Sequence, residues 1–138
     1  MISIMAWTRE FIRSVYDGEA TYYIGKIDNA TEWCIGIYGN NAQSRVKAIG
    51  TESSYSVASV QLLYHCAKNA REAEQAAREL YAALVNRAGF EFGSDSVGYA
   101  HCFYIELPYD EPIFLGTDDN GVYEYHVEFN IYYKEITN

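Results

Sequence analysis

Apolar and polar positions alternate most clearly near the end of the chain. Tyr123, Tyr125, Val127, Phe129, Ile131 and Tyr133 take turns with Glu124, His126, Glu128, Asn130 and Tyr132. That period of two predicts a strand with one apolar face and one wet face. The same period runs through the middle of the chain. Ala58, Val60, Leu62, Tyr64 and Cys66 share one parity, and Ser59, Gln61, Leu63 and His65 the other. Lys68 and Asn69 break it, and the period then becomes 3.6. Ala73, Ala76, Ala77, Leu80 and Leu84 form one stripe, opposite Glu74, Gln75, Arg78 and Glu79. Asn69 is placed to cap a helix, Glu72 stands at the capping-box spacing, and Asn86 to Gly89 supplies the stop. Burying Leu80 and Leu84 contributes roughly 1.5–3 kcal/mol each, and the short alanines let the helix axis lie close to a sheet. Tyr55 to Arg87 therefore reads as a strand followed by a helix laid across a sheet.

The remaining elements are shorter. Ile2 to Tyr16 predicts an opening helix, with Ile4, Trp7 or Thr8, Phe11, Ile12 and Val15 inward and Asp17-Gly18 ending it. Tyr22 to Ile27 and Thr31 to Tyr38 read as a hairpin around Asp28-Asn29-Ala30. Gly39-Asn40-Asn41 is a turn, Arg45 to Ile49 a short strand, and Thr51 to Ser54 a polar loop. Phe90 to Gly98, rich in Gly, Ser and Asp, predicts an exposed loop, and Tyr99 to Leu107 resumes strand character. Pro108 to Pro112 bends the chain before a brief strand, Ile113 to Leu115, and the GTDDNG turn of Gly116 to Gly121. This order predicts an α+β fold: an antiparallel or mixed sheet of about five to seven strands, with two helices packed on one face. No linker or repeat divides residues 1–138, so a single domain is expected.

Composition narrows the function classes. The net charge of −9 argues against a protein that grips nucleic acid by its phosphates. Lys26, Arg45 and Lys47 read as a solvated strand edge and not as a basic patch. Cys34, Cys66 and Cys102 are odd in number and form no CxxC, which predicts buried, reduced thiols in an intracellular setting. The opening MISIMAWTREF lacks a basic n-region and meets Arg9 and Glu10 early, so no signal peptide is expected, and no apolar run has the length of a membrane span. Nucleophile-elbow, phosphate-loop, dinucleotide and HExxH motifs are all missing, so catalytic residues, cofactor and metal are each expected to be none. His65 and His126 fall on wet-face positions, and His101 shares the parity of Phe103, Ile105 and Leu107, which points it inward. Asp118, Asp119 and Asn120 lack the calcium-loop pattern and read as the turn that starts the last strand. Fourteen tyrosines whose neighbours are Glu124, Glu128 and Asn130 suit contact with another subunit better than base stacking.

Three segments carry a resemblance. DNATEWCIGIYG, SYSVASVQLLYHCAKNAREAEQAARELYAAL and FLGTDDNGVYEYHVEFNIYY together resemble the small minor capsid proteins of long-tailed bacteriophages, a group similar to the tail terminator (tail-to-head joining) proteins. The resemblance implies helices packed on a sheet and a six-fold ring at the head-proximal end of the tail tube, assembled in the bacterial cytoplasm. Its expected partners are copies of itself, the tail tube protein and a head connector or head-closure protein, with no membrane. DNA would pass through the lumen without specific binding. No catalytic residue carries over. Asp118, Asp119, Asn120 and Tyr132 are the interface candidates, the acidic turn as a possible lumen lining. A head–tail adaptor is the nearest alternative. A small α+β enzyme or ligand-binding domain using His65, His126 and Glu128 is the alternative from another class.

Overall fold

Two long antiparallel strands carry the molecule. In the computed structural model, which describes residues 2–25, 32–39, 44–47 and 53–137, these are β4 (Ser53–His65) and β8 (Tyr123–Ile136). They pair from Ser56 opposite Tyr133 to His65 opposite Glu124. Before them come α1 (Ile4–Val15), β1 (Thr21–Ile24), β2 (Cys34–Gly39) and β3 (Ser44–Lys47). Between them lie α2 (Ala70–Leu84), β5 (Ala88–Ser94), β6 (Gly98–Glu106) and β7 (Ile113–Thr117). The sheet runs β1-β2-β4-β8-β6-β5, with β3 adding to β4 and β7 to β8. The fold is thus the expected α+β, with six strands in the continuous path and two short additions.

The alternation sorts the two central strands as their sequences dictate. Ala58, Val60, Leu62 and Tyr64 of β4 and Val127, Phe129 and Ile131 of β8 face inward and are at most 2% exposed. Both helices pack on that side. α2 contributes Ala73, Ala76, Leu80 and Leu84 to the same cluster that holds Trp7, Phe11 and Ile12 of α1. At the start of α2, Asn69 Oδ1 accepts from the backbone N–H groups of Arg71 (3.0 Å) and Glu72 (3.1 Å), so the cap forms as read.

α1 touches β1 and β2 at one end of the strand order and β5 at the other. A flat sheet would not bring its opposite edges to one helix; this one curls, and α1 fills the gap. Trp7 stacks on Phe11 at 5.4 Å and meets the edge of Phe92 at 5.6 Å, while Phe11 stacks on Phe90 at 5.1 Å. The Trp7 indole N–H donates to the Phe92 carbonyl at 2.9 Å, giving a polar atom inside the core its partner. Behind α1, Tyr16 donates to Tyr64 Oη at 2.7 Å, and Tyr64 donates onward to the Glu19 carbonyl at 2.9 Å. Burial pushes the Tyr16 phenol up to about 12 and raises that of Tyr64 as well.

Four expectations are corrected. β1 and β2 are parallel, Thr21 opposite Cys34 and Ile24 opposite Ile37, and so form no hairpin. All four pairs run in the same direction, from Thr21 with Cys34 to Ile24 with Ile37. The turn predicted at Asp28-Asn29-Ala30 lies outside the described residues, as do Asn40, Asn41, Ala48, Ile49, Thr51 and Glu52. Ser53 and Ser54 open β4 and are not loop. Phe90 to Gly98 is no loop either: β5 makes a tight hairpin with β6, Ser94 opposite Gly98, and sends Phe90 and Phe92 onto α1. Gly93 is required there, because a Cβ would run into the Gly98 carbonyl. Finally, His101 faces outward. The register slips between Cys102 and Tyr104, so Phe103 and Tyr104 both point out and Ile105 returns to the core.

Two tests follow from this core. Trp7→Ala is expected to destabilise the chain by about 3–5 kcal/mol, read as a lower urea midpoint; a change under 1 kcal/mol would show that α1 does not close the sheet. The Tyr16 phenol ionises near 10 when unfolded and near 12 when folded, so the folded state holds the proton longer. That stabilisation is complete below pH 10 and is lost as pH rises toward 12. Tyr16→Phe should flatten this part of the stability–pH curve, and an unchanged slope would contradict the assignment.

Candidate assembly surface

The helices leave the convex face of the sheet open. Its side chains are the polar parities of β4 and β8 with their neighbours, and they divide into two apolar clusters separated by a polar band. At one end, Tyr132 stacks on Tyr104 with ring centres 4.4 Å apart and nearly parallel planes. Tyr55 lies 5.9 Å from Tyr132 and 6.1 Å from Phe103, and the four rings line a cleft of about 220 Å³. Phe103 and Tyr104 remain 41% and 42% exposed, which is high for aromatic side chains already packed together. At the other end, Tyr38, Gln61, Leu63, Leu115 and His126 line a shallow groove of about 330 Å³. Leu115, 53% exposed, sits at a second register slip, between Phe114 and Gly116.

The band between them is held in place by its own hydrogen bonds. Ser59 Oγ donates to Asn130 Oδ1 at 2.8 Å, and Asn130 Nδ2 donates to Glu106 Oε1 at 2.8 Å. Tyr132 also donates to Glu106 Oε1, at 3.1 Å. Gln61 Nε2 donates to Glu128 Oε1 at 3.1 Å. The hydrogen bond with Tyr104, then burial and the Glu106 carboxylate, raise the Tyr132 phenol above its ordinary value. A face whose side chains are already fixed loses little conformational entropy on docking.

The predicted candidates fall in two places. Tyr132 is central to the aromatic cleft. The acidic turn is at the far end of β8, about 30 Å away at the rise of an extended strand, so the structure does not bring the two together. Asp118 is turned into its own loop: Oδ1 accepts from the N–H groups of Asn120 (2.8 Å) and Val122 (2.9 Å). Its Oδ2 is buried without a hydrogen bond, 3.7 Å from His65 Nδ1, and His65 Nε2 is 3.4 Å from Glu124 Oε2. Asp119 and Asn120 are exposed at the tip. His126 Nε2 lies 3.7 Å from Glu128 Oε1 beside the open groove. Among the described residues no three His, Cys, Asp or Glu side chains gather to hold a metal ion. Sequence reading did not single out Phe103, Tyr104 or Leu115. Two adjacent aromatics in one strand were the available signal, since regular alternation would bury one of them.

The chain thus pairs an α+β fold with an open, aromatic-rich sheet face. It belongs to the bacteriophage tail terminator protein family, whose profile matches residues 9–135. It is therefore a phage tail structural protein and a component of the virion, and the resemblance to tail terminator proteins holds. No curated protein and no solved structure matches the chain. No helix among the described residues is long and apolar enough to cross a membrane.

The two acidic tip positions should separate in a mutant pair. Asp118→Ala is expected to cost about 1–3 kcal/mol by stranding two backbone donors, whereas Asp119→Ala should stay within about 0.5 kcal/mol. Urea unfolding of both variants checks this, and equal effects would contradict the distinction.

Proposed function

We propose that this chain forms a ring, of six copies, on the head-proximal end of the tail tube, stops tube growth there and offers its other side to a head connector or head-closure protein. Membership of the tail terminator family supports the reading. The observation that carries it on this molecule is the convex sheet face, open, aromatic and fixed by its own hydrogen bonds. A closed ring repeats one heterologous contact around an axis, so each copy needs two different surfaces, and this face is one of them. The joining role fits the same geometry, because a ring has two distinct sides.

Charge supports passage of DNA without capture. Six copies at −9 each carry about −54, which lowers phosphate affinity. Asp119 and Asn120, exposed at the tip of their turn, are the candidates for the lumen.

Mixing the purified chain with its own tube protein tests the proposal. Tubes viewed by negative stain should stop lengthening when the chain is added, with density capping one end. Unregulated growth, or tight and salt-sensitive binding of the ring to duplex DNA, would contradict it.

A further inference from the structure

The ring reading leaves open which surface of the next copy meets the convex sheet face. Charge supplies the answer. Among the described side chains of that face, Glu91, Glu106, Glu124 and Glu128 stand against Lys134 alone. Two copies placed sheet to sheet would set these carboxylates against each other, which disfavours a symmetric pairing of identical faces. The complementary surface must be cationic and lie elsewhere on the chain.

The start of α2 offers two such side chains, with Glu72 exposed beside them and Glu74 already paired to Arg78. Lys68 and Arg71 are both exposed, and among the described residues neither has an ion-pair partner. By contrast, Arg78 on the same helix is held by Glu74 at 3.0 Å and lies 3.8 Å from Glu111. Arg71 stands in the first turn of α2, where the helix dipole disfavours positive charge. Its charge therefore does nothing for its own helix. On the other side, the cleft has the chemistry that takes a guanidinium: aromatic faces for its plane, and the Glu106 carboxylate beside them. Both hydrogen bonds that reach Glu106 from Asn130 and Tyr132 use its Oε1, which fixes the carboxylate beside the rings.

We propose that Arg71 and Lys68 at the start of α2 of one copy dock into the cleft of Tyr55, Phe103, Tyr104 and Tyr132, with Glu106 beside it, of the next copy. The proposal rests on the ring reading and names its contact. Helix layer and convex face lie on opposite sides of the chain, so the contact is heterologous, the kind of contact that a closed ring repeats. Because it pairs exposed charges, its strength falls as salt screens them.

Two charge variants test it. The helix variant carries Lys68→Glu and Arg71→Glu, and the sheet variant carries Phe103→Lys and Tyr104→Lys, all at exposed positions. Assembly is followed by mass photometry, with tube protein added if the unmodified chain assembles only on it. Thermal melting confirms that each variant is folded, and Tyr104→Lys alone replaces the sheet variant if the double change does not melt cooperatively. Each variant alone should need at least tenfold more protein to assemble. Mixed in equal amounts they should form rings again, because an alternating ring pairs reversed helix with reversed sheet at every second contact and unmodified helix with unmodified sheet at the others. Either variant assembling like the unmodified chain, or a mixture that does not recover, would overturn the proposed contact while leaving the ring intact. An unmodified chain that never assembles, with or without tube protein, would instead overturn the ring reading and this contact with it.

Discussion

The fold depends on α1 closing the curl of the sheet. α1 sits between β1–β2 and β5, elements at opposite ends of the strand order, with its Trp7 and Phe11 packed on Phe90 and Phe92 of β5. An open edge strand is a template for unwanted pairing, and on β5 the Trp7 indole N–H occupies the Phe92 carbonyl. The same closure decides which face remains free. With both helices on the concave side, no helix among the described residues covers the convex face, and its aromatic residues Phe103 and Tyr104 stay exposed.

That free face is preorganised in a way the core is not required to be. The Ser59–Asn130–Glu106–Tyr132 chain of hydrogen bonds fixes carboxylate and phenol together, and the stacked Tyr104–Tyr132 pair holds the cleft's shape. Two register slips, at Phe103–Tyr104 and Phe114–Gly116, add an outward side chain where regular pleating would have turned it inward. Both slips place large apolar groups on the convex side, Phe103 and Tyr104 at one end and Leu115 at the other. Local departures from the ideal strand thus supply much of the candidate contact surface.

What could be read in advance follows from how locally each feature is encoded. β4, α2 and β8 are long and strictly periodic, so their inward residues, the Asn69 cap and the single helical face were legible from spacing alone. The direction of β1 against β2 was not, because pairing sense depends on the path of the connection and two adjacent short strands look the same either way. β5 was hidden by its two glycines and Ser94; what makes it a strand is the docking of Phe90 and Phe92 onto a helix some 80 residues earlier in the chain. Parity counting placed Tyr132 correctly on the wet face and misplaced His101, since one extra residue in β6 reverses every assignment before it. Of the acidic turn, the sequence indicated the loop but not that Asp118 is consumed by it while Asp119 is left exposed.

The central claim is that the convex sheet face becomes buried when the terminator assembles. Hydroxyl-radical footprinting of the chain before and after assembly measures this side chain by side chain. Phe103 and Tyr104 should lose most of their reactivity in the assembled state, while Val85, exposed beyond the end of α2, supplies an independent reference on the helix side. Assembly that leaves Phe103 and Tyr104 as reactive as in the free chain would contradict the account.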